Sequence, residues 1–260
     1  MMKSLKLASW LAWIVVLALA WSVSAAEVEE ETCDAGQANL KMPPKTRRAL
    51  LTSNGLSHDA IRAEFVRLVR LRQPDLDKAR VVYVPDAIVA EGTPFTKDLV
   101  DEFRRSLGPL GISEVSAIEL ASSSREEVEA SLAQADVVYV ECGNTFYLHY
   151  HMAQKGVKSI LDPLLDGGLV YVGSSAGSIV AGMTAEIALW KGWDDPTVVP
   201  KLPDYAGLAV LGAKSFFPHY SSQYKGLVES KRSSVSHEVL TLTDSQCFAS
   251  DEVSGERLVG

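Results

Sequence analysis

The sequence is short of several things, and each shortage removes a class of function. It has only three cysteines in 260 residues, Cys33, Cys142 and Cys247. Three thiols cannot all pair within one chain, and their spacing fits no metal site, so the default for Cys142 and Cys247, both in apolar strand-like runs, is a buried free thiol. No Asn-x-Ser/Thr acceptor occurs, so a secretory route would add no N-glycan. The glycines form neither a Gly-x-Gly-x-x-Gly nor a P-loop pattern, and no nucleotide or other cofactor is expected. Positive charge is scarce, with 25 Lys and Arg against 33 Asp and Glu and a net charge of −8. Nucleic-acid binding needs clustered cations, and the single short cluster at 45–48 reads as a solvated entry to a strand. His149 and His151 are too few and wrongly spaced for a metal, because positions i and i+2 of a helix point in different directions.

Long apolar runs are also rare, and the one that occurs is N-terminal. Lys3 and Lys6 precede an almost wholly apolar stretch over 7–21, and small residues follow at 22–26. This is the layout of a secretory signal peptide over 1–26, with an uncleaved signal anchor as the alternative. The run is short of the about 20 residues of a bilayer span, so no stable membrane span is expected after cleavage, and a secreted location is. A polar, Glu-rich spacer over 27–46 leads to one domain over 47–260.

Within that domain the hydrophobic periodicity alternates. Strands are expected over 48–53, 79–84, 115–120, 136–141 and 169–173. Helices are expected over 58–71 (capped by Ser57), 96–107, 124–133 (opening with the Ser-x-x-Glu capping box), 145–155 and 159–165, with another beginning at Ser175. The strands are continuous and β-branched rather than alternating, as strands buried on both faces should be. The expected fold is therefore α/β: a single doubly wound, mostly parallel sheet with helices on both faces. Chemistry in such sheets gathers at the carboxyl ends of the strands.

Three segments at such ends carry chemistry. Gly173-Ser-Ser175-Ala-Gly177 lies between a strand and a helix. Gly-x-Ser-x-Gly in that context sets a serine at the apex of a tight turn, with the glycines giving the backbone room to fold back. It also puts the Ala176 N–H at a helix N-terminus, where an oxyanion is stabilised. Glu141-Cys-Gly-Asn-Thr145 closes another strand, and Gly143 is a candidate second oxyanion donor. His219 follows Ser215-Phe-Phe-Pro218, where proline ends strand pairing and frees the ring to leave the sheet.

Together with Leu51-Thr-Ser-Asn-Gly55, Gly143-Asn-Thr-Phe146 and Pro218-His219-Tyr220, these segments resemble peptidase E, the aspartyl dipeptidases of peptidase family S51, whose relatives include cyanophycinases. The resemblance covers about 50–249. It implies a flavodoxin-like fold like that of class I glutamine amidotransferases, and a serine peptidase acting on small peptides, N-terminal aspartate among the candidate residues. Ser175 would be the nucleophile and His219 the base. Gly143 and Ala176 would form the oxyanion hole, with Asn144 and Thr145 beside the substrate. The imidazole needs a carboxylate to orient it. Asp194, in Gly192-Trp-Asp-Asp-Pro196, and Asp244, in Leu242-Thr-Asp-Ser245, both stay open. Asp244 is favoured for that role, and Asp194 for a substrate or structural one.

The chain departs from the pattern in two places. Glu141-Cys-Gly-Asn144 replaces the frequent Gly-Gly-Gly-Asn. Glu229 stands where a basic residue would pair with a substrate carboxylate, leaving Lys225, Lys231 and Arg232 as substitutes. Gly260 also comes earlier than the family's last strands would place it. A non-catalytic binding or scaffold member is the alternative function, and a homodimer remains open.

Overall fold

The computed structural model describes residues 46–202 and 204–260. The signal segment read over 1–26, Cys33, and all but the last residue of the 27–46 spacer lie outside the described residues. No helix among the described residues is long and apolar enough to cross a membrane.

The centre of the molecule is a seven-stranded sheet of β1 (Arg48–Thr52), β2 (Val81–Val84), β3 (Val115–Ala117), β4 (Val137–Val140) and β5 (Val170–Ser174), extended by two later strands. These five strands are parallel, in the order β3-β2-β4-β5-β1. Two further strands, β6 (Lys214–Phe217) and β7 (Glu238–Thr241), form a separate parallel pair. The hairpin of β8 (Cys247–Ser250) and β9 (Arg257–Val259) then adds two antiparallel strands outside β1.

Helices cover both faces because the inner parallel strands β1, β2, β4 and β5 are buried on both sides. Leu50, Tyr83, Tyr139 and Val172 join one core, against Ile61, Phe65 and Leu68 of α1 (Asp59–Arg72). The residues between them, such as Leu51, Val84, Val140 and Tyr171, join the opposite core. The short α2 (Asp86–Val89) and the helix α3 (Lys97–Leu107) follow β2; Leu107 of α3 packs on the α1 face. The second core takes side chains from α4 (Arg125–Ala133), α5 (Thr145–Lys155), α6 (Val157–Asp166) and α7 (Ala176–Ala181). Burying one such aliphatic side chain stabilises by about 1.5–3 kcal/mol, and a strand with both faces covered collects that on every residue.

A third cluster lies beyond the sheet. Phe146 of α5 and Ile179 of α7 meet Phe217 and Val239 of the β6–β7 pair. They also meet Ile187 and Trp190 of α8 (Ile187–Lys191) and Val228 of α9 (Lys225–Arg232). The strand that runs into Pro218 was expected, but not its pairing with β7 in a sheet of its own.

Two expectations need correction. α1 has His58 rather than Ser57 at its N-cap, with no side-chain cap. The strand expected over 115–120 stops at Ala117, because the buried Asp86 carboxylate accepts the Leu120 and Ala121 N–H groups, both at 2.9 Å, in place of a ladder. The capping box of α4 forms as read, with Ser124 Oγ 3.1 Å from the Glu127 N–H.

Candidate active site

β5 ends at Ser174 and α7 begins at Ala176, so the reversal falls on Ser175, with φ 47° and ψ −101°. Positive φ is uncommon outside glycine and costs on the order of 1–3 kcal/mol, so surrounding structure must hold it. The Ser175 N–H donates to Thr52 O of β1 at 3.0 Å, and the Ser175 carbonyl accepts the Ser178 and Ile179 N–H groups, each at 2.9 Å. The flanking glycines are required by contact. A Cβ on Gly173 would lie 2.6 Å from the Gly177 backbone, and one on Gly177 would lie 2.2 Å from Val140 O. The turn is thus folded back on itself and pressed onto the end of β4.

That packing brings the β4 loop beside the elbow, since Val140 and Gly173 are register partners. Gly143 has φ 124°, and a Cβ there would lie 2.2 Å from Ala87 O. Ala176 is the first residue of α7, so its N–H has no acceptor inside the helix.

The Ser175 hydroxyl meets His219 across a gap of 44 residues, with Oγ 2.9 Å from Nε2. On the other side of the ring, Nδ1 lies 2.6 Å from Asp244 Oδ1. His219 itself has φ 51°. Its N–H donates to Ser53 Oγ at 2.6 Å, and Ser53 Oγ donates to Asp244 Oδ1 at 2.8 Å. Ser53, just past β1, therefore ties the backbone of His219 to the carboxylate beside its ring. Partial burial alone would raise the Asp244 pKa. The hydrogen bonds from Ser53 and His219 and the nearby Lys191 ammonium outweigh it and hold the carboxyl below its ordinary range.

Asp194 is placed elsewhere. Its Oδ2 accepts the Thr145 N–H at 2.8 Å, at the start of α5. Asn144 Oδ1 accepts the Phe146 and Tyr147 N–H groups, both at 3.0 Å, while its amide donates to Asp195 O at 3.1 Å. Asn144 and Thr145, expected beside the substrate, are 3% and 0% exposed. Both side chains are turned into the protein, and the Asn144 side-chain amide and the Thr145 backbone N–H fasten the 194–195 loop to α5.

A narrow pocket of about 30 Å³ opens at Ser175 and His219, walled by Ile179, Ile187, Trp193 and Phe217. Its cation is Lys191, which sequence reasoning missed. None of the expected basic groups of α9 lines the pocket: Lys225 stands 4.0 Å from Glu229, and Arg232 donates to Val239 O. Ser53 was also missed as a site residue, although its segment carried the resemblance. Lys191 carried no signal beyond lying between Trp190 and Trp193. Cys142 lies on the β4 loop, where burial, and then the Glu141 charge, push its thiol up to about 12.

The arrangement can carry acyl transfer. A hydroxyl, an imidazole and a carboxylate stand in series, with backbone N–H groups of a helix start and a glycine loop alongside.

The profile of peptidase family S51 matches residues 49–252. An uncharacterized peptidase of Listeria innocua is 27% identical over 150 residues, spanning 58% of this chain and 68% of that protein. One of Pasteurella multocida is 25% identical, over 57% of this chain and 68% of its own. Among solved structures, a Listeria monocytogenes protein provisionally assigned as peptidase E superposes with a TM-score of 0.64 at 20% identity, covering 82% of this chain and 98% of that one. A peptidase from an acI-B1 actinobacterium gives 0.59 at 14% identity, covering 84% and 89%. At these identities the two structures speak to the fold alone.

Proposed function

Because the chain belongs to peptidase family S51 and is a serine peptidase, we propose that it cleaves small peptides through a Ser175–His219–Asp244 triad and an acyl-enzyme. The observation that carries this reading is the unbroken hydrogen-bonded series, 2.9 Å from Ser175 Oγ to His219 Nε2 and 2.6 Å from Nδ1 to Asp244.

In the proposed reaction Ser175 Oγ attacks the peptide carbonyl while His219 Nε2 takes its proton. Asp244 keeps the proton-bearing Nδ1 facing it and stabilises the imidazolium as it forms. The Gly143 and Ala176 N–H groups receive the oxyanion. His219 then protonates the departing amine, and water enters by the same route to release the acid. The confined pocket beside Ser175 favours a small substrate side chain. N-terminal aspartate is the preference that the family resemblance suggests. It does not follow from α9, whose cations do not line the pocket. Asp194, Asn144 and Thr145 are assigned to holding the pocket's loop. The leader read over 1–26 would deliver the enzyme to the secretory pathway.

A fluorophosphonate probe should label the protein at Ser175, and Ser175→Ala should abolish labelling. Labelling that survives the substitution sinks the assignment. A dipeptide library assayed with the same protein then reads its preference.

A further inference from the structure

We propose that Lys191 is a positioning residue for His219, holding the base in place through the backbone before it and the ring beside it. The inference rests on the triad reading above.

Three observations converge on Lys191. Its Nζ donates to the carbonyl of Pro218, the residue immediately before His219. The ammonium also sits over the Trp193 ring at 4.0 Å and the Phe217 ring at 4.3 Å. Trp193 in turn packs against the His219 ring, with centroids 5.7 Å apart. So one cation, anchored on α8, reaches the backbone on one side of His219 and the aromatic wall on the other. His219 needs such support because its φ of 51° is a left-handed conformation that a non-glycine residue adopts at a cost. Ser53 fixes the His219 N–H; Lys191 fixes the peptide that precedes it.

The chemistry of the ammonium suits this task. A charged donor makes a stronger hydrogen bond than a neutral one and is attracted to aromatic faces. Four titratable groups face it: Asp194 from its own loop, Asp244 from the turn after β7, His219 beyond Pro218, and Tyr224, whose ring centroid is 4.9 Å from Nζ. Burial among the rings lowers the Lys191 pKa to about 8 in spite of the two carboxylates. The charge that holds Pro218 is therefore lost as pH rises through about 8.

A substrate ligand and a positioning residue differ in what they do to a reagent that carries no carboxylate. The test is the rate at which a small neutral fluorophosphonate labels Ser175. Lys191→Met should slow labelling about tenfold, a part of the 10²–10⁴ that a well-placed base supplies. With a peptide substrate, kcat should fall while KM stays nearly constant. In the wild-type protein the labelling rate should decline above pH 8, and in Lys191→Arg, which keeps its charge, that decline should vanish. Unchanged labelling of Lys191→Met, or a loss confined to KM, overturns the proposal. Should Lys191→Met fail to fold, the arginine variant decides: a decline through pH 8 that persists in it also overturns the proposal. Failure of the triad reading looks different, as absent labelling of Ser175 in the wild-type protein.

Discussion

Ser175 grows out of the most buried part of the molecule, whereas His219 and Asp244 hang from its margin. Every residue of β5 and α7 around Ser175 is buried. The Asp244 side chain is 59% exposed and that of His219 28%. The elbow is held by backbone against backbone, through contacts at Gly173 and Gly177 that leave no room for a methyl group. The histidine and its aspartate come from a two-stranded sheet outside the main one and are joined to the elbow by side chains: Ser53, Lys191 and the triad atoms themselves. The two halves should therefore fail in different ways. Damage to the elbow should unfold the protein, and damage to the base half should leave a folded, slow enzyme.

The sharpest test of that contrast is Asp244→Asn. The amide can still accept from Ser53, but it no longer stabilises an imidazolium and favours the wrong tautomer. The turnover of a peptide substrate should fall by about 10³–10⁴-fold. Because the side chain is more than half exposed, thermal stability should move by no more than about 0.5 kcal/mol. A large loss of stability would show that the base half is as built-in as the elbow.

The converse comes from Gly177→Ala. A Cβ 2.2 Å from Val140 O forces β4 and α7 apart, and neither is a flexible side chain that can move aside. The expected cost is about 3 kcal/mol or more, beyond the usual range for overpacking, or roughly 6–12 °C in melting temperature for a domain of this size. Whatever fraction folds should still be labelled at Ser175. A variant of wild-type stability that fails to label would reverse the assignment of the two halves.

The same contrast explains what could be read from the sequence. The parallel strands were legible because burial on both faces leaves an uninterrupted apolar run, as in Val81–Val84 and Val137–Val140. The elbow was legible because its turn admits only glycine at two fixed positions. Of the β6–β7 pair only the end of β6 was legible, through Pro218; β7 was not, since a four-residue strand in a long irregular stretch carries little periodicity. Ser53 and Lys191 were invisible as site residues for a different reason. Each lies far along the chain from His219, and serine or lysine at a strand or helix end is ordinary. Asn144 and Thr145 were read as residues beside the substrate, but a helix start beside a ligand and one that caps itself carry the same residues. The structure adds that both side chains are buried.

Asp194 is where sequence left the choice of orienter open, and it should give the smallest effect. Its carboxylate accepts the Thr145 N–H at 2.8 Å, at the start of α5, where a negative charge also meets the positive end of the helix. It is thus a cap supplied from another segment, tying the Trp193 loop to the domain. Asp194→Ala should cost about 1 kcal/mol, as the loss of a capping side chain does. Because Trp193 lies on the loosened loop while Lys191 stays on α8, turnover should drop only a few-fold, with no change in the residue labelled. Melting and turnover measured on Asp194→Ala and Asp244→Asn side by side decide the matter. A loss of turnover in Asp194→Ala as deep as in Asp244→Asn would mean that the loop moves on substrate binding and exchanges one aspartate for the other at the imidazole, and the triad drawn here would have to be redrawn.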